Sequence, residues 1–305
     1  MKKDFGFLQK LVRLYTFYSP LRKGKYRLAV AALNSAKDAP DEILAFARDR
    51  RKLLVNPTSL SYRFIYFLGE YEPSITRVIS QIVKPGDVCL DVGANIGWYT
   101  TLLQKLVGDG GAVHAFEPVQ NVYEKLCRNV SLNEPTTNVT INNLALGNTE
   151  KIVELHIFIN LPEGHHSIAT FDNNEDEYES LPCRMTTLDS YLSENEIGEV
   201  NFVKMDIEGA EMMMLEGANK LFNQKRPPIW EIEMALDTTR GFDYLPNDLI
   251  DYMRRKADYE FYVIDEINFG LHRIEGFSPD NKGANVLCFP NGYYPERLAQ
   301  LRLKT

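Results

Sequence analysis

The sequence predicts an α/β protein: a mostly parallel, seven-stranded sheet with helices on both faces, preceded by a helical and hairpin elaboration. Three observations predict it. From residue 88 onward, short apolar runs alternate with segments of helical periodicity, and parallel strands need such crossovers. Gly, Pro, Asn and Asp punctuate the runs, which marks their ends. One run, 88–92, passes through Gly93 and Gly97 straight into a helical segment, the strand–turn–helix step at which open α/β sheets hold ligands.

The elements follow in order. Leu8, Leu11, Val12, Tyr15 and Tyr18 recur at helical spacing, which predicts a helix packing its apolar face on the main domain. Residues 41–50 have helical character after Pro40. Residues 52–57 and 60–68 are strand-like, and Asn56-Pro57-Thr58-Ser59 between them suggests a hairpin. Pro73 suits the first turn of a helix over 73–83. The main domain is placed at 73–305, with 1–72 as an extension that contacts an acceptor or a second subunit of a homodimer. Strands are expected at 88–92, 112–116, 139–144, 201–205, 229–233, 261–264 and 286–289, with another at 152–158. Helices are expected at 96–106, 119–132, 187–192, 210–222 and 247–256. Residues 160–182 are acidic and turn-rich, and 266–283 reads as a long loop before an antiparallel finish.

Bulk properties narrow the partners. A chain of 305 residues with 44% hydrophobic content can bury a substantial core. The net charge of -8 argues against nucleic acid, whose phosphates require a basic footprint. Residues 1–30 depart from that balance: eight Lys and Arg face one acid, Asp4, a local charge of +7. A surface helix touching anionic membrane is therefore the alternative to simple packing. Cys89, Cys127, Cys183 and Cys288 form no metal-like spacing, which suits a reducing cytoplasm. No apolar run is long enough to span a bilayer, and Arg13 interrupts the one candidate signal core. The expected location is cytoplasmic, with peripheral contact at the inner face of the membrane left open through the basic N-terminus.

The candidate ligand site begins at Asp91, Gly93, Asn95 and Gly97. The pattern is G-x-N-x-G, lacking the Gly-rich cradle that a dinucleotide pyrophosphate needs. An acid at the strand end suits an amine better than a phosphate. Glu117 ends the next strand in Ala115-Phe116-Glu117-Pro118, where a carboxylate can accept both hydroxyls of a ribose. Asn143, closing the third strand, is placed to meet a base edge. Together these favour S-adenosyl-L-methionine, which carries an ammonium and no phosphate.

The ordered set of short stretches resembles the FkbM-type methyltransferases. It comprises Lys84-Pro85-Gly86-Asp87, the run from Leu90 to Gly97, Ala115 to Pro118, Asn129 to Asn133, Ala145-Leu146-Gly147, Thr187-Leu188-Asp189, Lys204 to Glu211 and Asn285 to Cys288. The match runs from about residue 68 to 290 and leaves 1–60 outside. What the resemblance implies is a Rossmann-like class I methyltransferase fold, S-adenosyl-L-methionine as donor, and methylation of a hydroxyl, in many members on a sugar of a glycan or glycoconjugate.

Lys204, Asp206 and Glu208 alternate where the fourth strand becomes a helix, so extended backbone can point them one way. An alcohol acceptor must lose its proton, which a carboxylate base or a cation can assist. Asp206 is the first candidate, as base or donor-site residue, followed by Glu208. Lys204 would orient Asp206, and Glu233 lies nearer the site than Glu231, which reads as solvent-exposed. Asp206, Glu208 and Glu211 are the oxygen set that could hold Mg2+, although no spacing demands a metal and Glu211 also suits a helix N-terminus. His165 and His166 offer a further base if the 160–182 segment folds over an acceptor. The competing readings are a polyketide or lipid hydroxyl as acceptor, a dinucleotide-dependent oxidoreductase, and a binding protein with a degenerate site.

Overall fold

The computed structural model describes residues 4–21, 23–36, 39–158, 166–167, 178–265, 269–278, 280–301 and 303–304. Its strands are β1 (Ile43–Phe46), β2 (Lys52–Val55), β3 (Val88–Val92), β4 (Ala112–Phe116), β5 (Val139–Asn142), β6 (Ala145–Gly147), β7 (Lys151–Phe158), β8 (His166–Ser167), β9 (Tyr178–Thr187), β10 (Phe202–Met205), β11 (Ile229–Ala235), β12 (Tyr259–Ile264), β13 (Leu271–Ile274), β14 (Gly283–Pro290) and β15 (Leu303–Lys304).

The central sheet has nine strands in the order β15-β13-β12-β14-β11-β10-β3-β4-β5. Seven of them, from β5 to β12, are the expected sheet. The other two extend its far edge: β13 forms within the stretch read as a long loop, and β15 pairs beside it. The strands from β5 through β11 run parallel, and β14 is antiparallel to both β11 and β12. The chain builds outward from β3 through β4 to β5, then returns to place β10 on the other side of β3. The connections leaving the carboxyl ends of β3 and β10 therefore run to opposite faces of the sheet, a topological switch point where a cleft is expected.

Both faces of this sheet are covered because side chains alternate along each strand. Cys89, Phe202, Ile229 and Leu287 pack into one apolar cluster, while their neighbours Leu90, Val203, Trp230 and Cys288 pack into the other. A smaller sheet, β6-β9-β7-β8, lies beside it. Among the described residues no helix is long and apolar enough to cross a membrane.

The N-terminal elaboration differs in detail from its sequence reading. The hairpin is β1 with β2, antiparallel through a turn in which Arg50 takes φ 76°. The apolar run at 43–46 is too short for periodicity to separate helix from strand. Conversely, the aromatic stretch read as a second strand forms a helix, Arg63–Leu68, whose Ile65, Tyr66, Phe67 and Leu68 are all buried. Gly69 ends it at φ 69°, and a Cβ there would lie 2.5 Å from the Phe17 ring. The expected single helix over 210–222 is two, Glu211–Glu216 and Asn219–Asn223.

The first helix, Phe7–Tyr18, turns the other way round from expectation. It buries Gln9, Val12 and Thr16, whereas Leu8, Leu11, Tyr15 and Tyr18 are exposed. Polar anchoring explains the inversion. Thr16 donates to the Phe67 carbonyl at 2.6 Å, Gln9 to the Ala32 carbonyl at 3.2 Å and Arg13 to the Tyr66 carbonyl at 3.2 Å. The hairpin is tied in the same fashion to two helices that flank the main sheet, Trp98–Val107 and Gln120–Ser131. Asn129 accepts the Leu54 N–H at 2.6 Å, and the buried Arg51 donates to the Trp98 carbonyl and to Thr101. One continuous core cluster consequently runs from Phe5 to Leu301.

Candidate active site

A cleft opens at the switch point, enclosing about 1050 Å3 of space that is partly open to solvent. Its floor is the turn after β3. Gly93 sits at φ 80°, and a Cβ there would lie 1.8 Å from the Asp206 carbonyl oxygen, so only glycine lets β3 and β10 close together at this point. Asn95 also has positive φ, at 50°. Its side-chain oxygen accepts from Tyr62 Oη at 2.6 Å and from the Ile96 N–H at 2.8 Å. Gly97 then starts helix Trp98–Val107 at φ 92°, packed under Leu126 and outside the cleft lining.

Glu117 projects into the cleft from the end of β4 and is 3% exposed. One carboxylate oxygen accepts the Asn95 N–H at 2.9 Å, and the other accepts the Val119 N–H at 2.9 Å. Burial pushes this carboxyl up to about 7 even though both N–H groups favour its charge. Asn143 supports it from behind, donating to the Glu117 and Pro118 carbonyls at 3.0 and 2.9 Å.

Asp91 lies below the cleft instead of lining it. It is 1% exposed, accepts a hydrogen bond from Thr100 Oγ1, and burial pushes its carboxyl up to about 6. Register explains its surroundings. Asp91 pairs with Lys204 across β3 and β10, and Lys204 pairs with Glu231 across β10 and β11. Three ionisable residues thus form one row on one face of the sheet. Lys204 Nζ lies 3.4 Å from Glu231 and 3.1 Å from Asp206, and 5.0 Å above the Tyr99 ring. Burial opposes its charge, but Asp206, Glu231, Glu72 and Asp91 outweigh that and hold the ammonium well above the usual lysine range. Glu231, read from sequence as exposed, is fully buried in this row, and burial pushes it up to about 7.

Asp206 emerges from the row into the cleft, with Ile207, Glu208 and Ala210. The Asp206 charge, together with burial, pushes the hydrogen-bonded Glu233 up to about 10. Burial, Asp206 and Glu211 raise Glu208 to about 8. At neutral pH the arrangement therefore keeps Glu233 protonated beside an Asp206 that faces the Lys204 ammonium. Glu211 turns away from this group. Its carboxylate accepts the Ile207 and Gly209 N–H groups at 3.2 Å and the Tyr244 hydroxyl at 2.9 Å, closing the loop that carries Glu208. Among the described residues, no group of three His, Cys, Asp or Glu side chains is arranged to hold a metal ion. His165 and the side chain of His166 lie outside the described residues.

Sequence reasoning missed most of the other wall, Tyr62 alone falling in the aromatic N-terminal stretch expected to contact an acceptor. Tyr62, Tyr71, Trp98 and Tyr99 line the cleft, and Tyr99 Oη donates to Glu72 at 2.6 Å. Burial, then the Glu72 charge, pushes both Tyr71 and Tyr99 above the usual phenol range. Aromatic density over 62–71 was the available signal, but nothing in that stretch marks which rings face a ligand.

A model of the methyltransferase FkbM domain matches residues 91–261, more than half of the chain. The chain belongs to the FkbM methyltransferase family. It is 24% identical over 166 residues to the hexuronic acid methyltransferase AglP of Haloferax volcanii, a match covering 54% of this chain and 64% of that protein. It is also 24% identical to methyltransferase sdnD of Sordaria araneosa, over 43% of this chain and 60% of that protein. The chain thus spans less than two thirds of the length of these curated relatives. Among solved structures, an FkbM methyltransferase from Methylobacillus flagellatus superposes with a TM-score of 0.44 at 19% identity, covering 67% of this chain and 43% of that one.

Proposed function

We propose that this FkbM-family protein is an S-adenosyl-L-methionine-dependent O-methyltransferase whose acceptor is a sugar hydroxyl of a glycan or glycoconjugate. The observation that carries the reading is the juxtaposition across one cleft of the Gly93 turn, with Glu117 beside it, and the Asp206–Glu233–Lys204 group.

The residues fit the donor. Each Glu117 oxygen accepts one backbone N–H, and a carboxylate has lone pairs left for two ribose hydroxyls. The Gly93 turn brings bare backbone to the cleft, and Phe116, Leu144 and Leu146 supply apolar surface for a base. When bound, the donor supplies an activated methyl group. Asp206 accepts the proton of the acceptor hydroxyl, and Lys204 and protonated Glu233 hold its carboxylate in place. Glu208, on the same loop, orients the acceptor. Tyr71, Trp98 and Tyr99 offer faces against which sugar C–H surfaces pack. The Haloferax relative, named for a hexuronic acid acceptor, supports the sugar class.

The test pairs binding with turnover. Calorimetry should show S-adenosylhomocysteine binding and no binding of NAD or NADP. Incubation with S-adenosylmethionine and a panel of hexuronosides, neutral glycosides and aliphatic alcohols should release S-adenosylhomocysteine with a sugar acceptor. Binding without turnover on any sugar, but with turnover on the alcohols, would replace the acceptor class.

A further inference from the structure

The exposed face of the first helix has no explanation in the core. Phe7, Leu8, Leu11, Leu14, Tyr15 and Tyr18 are all exposed, Phe7 by 83%, Tyr18 by 76% and Leu14 by 61%. At 3.6 residues per turn they occupy one continuous arc of about 120°. Leu21 in the following turn, and Tyr26 and Leu28 on helix Lys25–Asn34, add to the exposed apolar surface of this helical pair. Isolated exposed apolar residues are ordinary, but a contiguous stripe marks an interaction surface.

Charge decides the partner. Lys10, paired with Asp4 at 2.6 Å, and Arg27 are exposed on these two helices and Lys23 in the turn between them, and residues 1–30 carry +7 in a chain whose remainder carries −15. A second copy of the chain meeting this face across a two-fold axis would oppose these cations to themselves. An anionic lipid surface complements both the apolar arc and the basic flank.

We propose that the helical pair at residues 7–34 docks the protein on an anionic bilayer surface through Phe7, Leu11, Leu14 and Tyr18, with Lys10, Lys23 and Arg27 against the headgroups. The short helix Arg63–Leu68 connects this surface to the cleft. Its Tyr66 and Phe67 carbonyls hold the docking helix, and Tyr62 just before it lines the cleft and bonds Asn95. On the methyl-transfer reading, the acceptor is then presented at the membrane.

Co-sedimentation of the full chain with vesicles tests this without any acceptor. Binding is expected to vesicles containing phosphatidylglycerol and not to pure phosphatidylcholine, and it should weaken in high salt. Leu11→Glu with Leu14→Glu should lower partitioning more than tenfold. Lys23→Glu and Arg27→Glu should each lower it about fivefold or more. Melting temperature and S-adenosylhomocysteine affinity are read in each variant, so that loss of docking is separated from loss of fold or of the donor site. Absence of binding to anionic vesicles, or equal binding to neutral ones, overturns the proposal. So does a dimer in sedimentation velocity that Leu14→Glu dissociates, which would make this face a contact between copies.

Discussion

Replacing Glu117 with Gln separates a ligand role from a structural one, because the two predict opposite things about pH. The wild-type carboxyl is raised by burial from 4.5 to about 7 while accepting two backbone N–H groups. Its folded-state value lies above its unfolded value, so folding favours the protonated form. The stability this group contributes is complete below pH 4.5 and is lost as pH rises through about 7. A rise of that size is worth about 3 kcal/mol. The difference between wild-type and Glu117→Gln stability should therefore narrow or reverse by about that amount between pH 4.5 and 7. Glu231 and Glu208 titrate in the same sense in both proteins and cancel in the difference, and Asp91, whose charge helps to raise Glu117, cancels less completely. Ligand binding runs the other way, since the ionised carboxylate is the better acceptor for two hydroxyls. Its ionised fraction goes from roughly 0.1 at pH 6 to roughly 0.9 at pH 8, so S-adenosylhomocysteine affinity should rise about ninefold over that span. Glu117→Gln removes charged hydrogen bonds of about 1.5–3 kcal/mol, a loss of about 10- to 150-fold at pH 8, and flattens the pH slope. Calorimetry at pH 6, 7 and 8 with parallel melts measures all of this. A folded variant that binds within twofold of wild type at pH 8 would remove Glu117 from the donor site, and a slope persisting in that variant would assign the titration elsewhere.

Three further variants divide the site into its parts. Asp206→Asn should abolish methyl transfer while leaving S-adenosylhomocysteine affinity within a few-fold, because it touches the proton-accepting group and not Glu117; full turnover on the acceptor would exclude Asp206 as base, and unchanged rates in EDTA would go with a metal-independent step. Gly93→Ala should destabilise by about 2–3 kcal/mol in denaturant melts, because its Cβ meets the Asp206 carbonyl at a positive φ; a wild-type melt would mean that β3 and β10 part freely at their ends. Lys204→Met leaves Asp91 and Glu231 buried without their cation, and should cost about 3–5 kcal/mol at pH 8 and much less at pH 5, where both acids are protonated; a pH-independent loss would show that packing, and not charge, is what Lys204 supplies.

The fold was legible where periodicity and punctuation agreed. β3 and β4 and the helices that follow them fall close to where apolar runs and glycines place them. Failures came where a second interaction overrode the pattern. The 63–68 stretch carries strand-like residues but is buried on most sides, and a fully buried helical turn has no alternation to show. The first helix has an apolar stripe that periodicity assigns to the core. Its Thr16, Gln9 and Arg13 instead find carbonyls on neighbouring segments, and those polar contacts set which side faces in. Hydropathy cannot rank a hydroxyl that meets an acceptor above a leucine that meets none.

The site was legible as a set of positions but not as a division of labour. Asp91 and Glu117 read alike in sequence, each an acid ending a strand, yet β4 carries its acid one residue past the last paired position, while Asp91 lies inside the ladder opposite Lys204. Two residues along the strand, since Asp91 sits opposite Ala115, thus separate an acid that lines the cleft from one locked in a buried row with Thr100. The same arithmetic rescues Glu231. It shares parity with Ile229, and because Ile229 faces the buried side of a parallel sheet, Glu231 must face it too and needs the cation that Lys204 provides. Lys204 therefore serves two masters: it neutralises the row beneath the floor and holds Asp206 at the cleft. This coupling ties the charge that faces Asp206, the proposed base, to acids on the two strands flanking β10. The alternating Lys, Asp and Glu at the end of β10 are thus packed as one charge-balanced unit with the acids of β3 and β11.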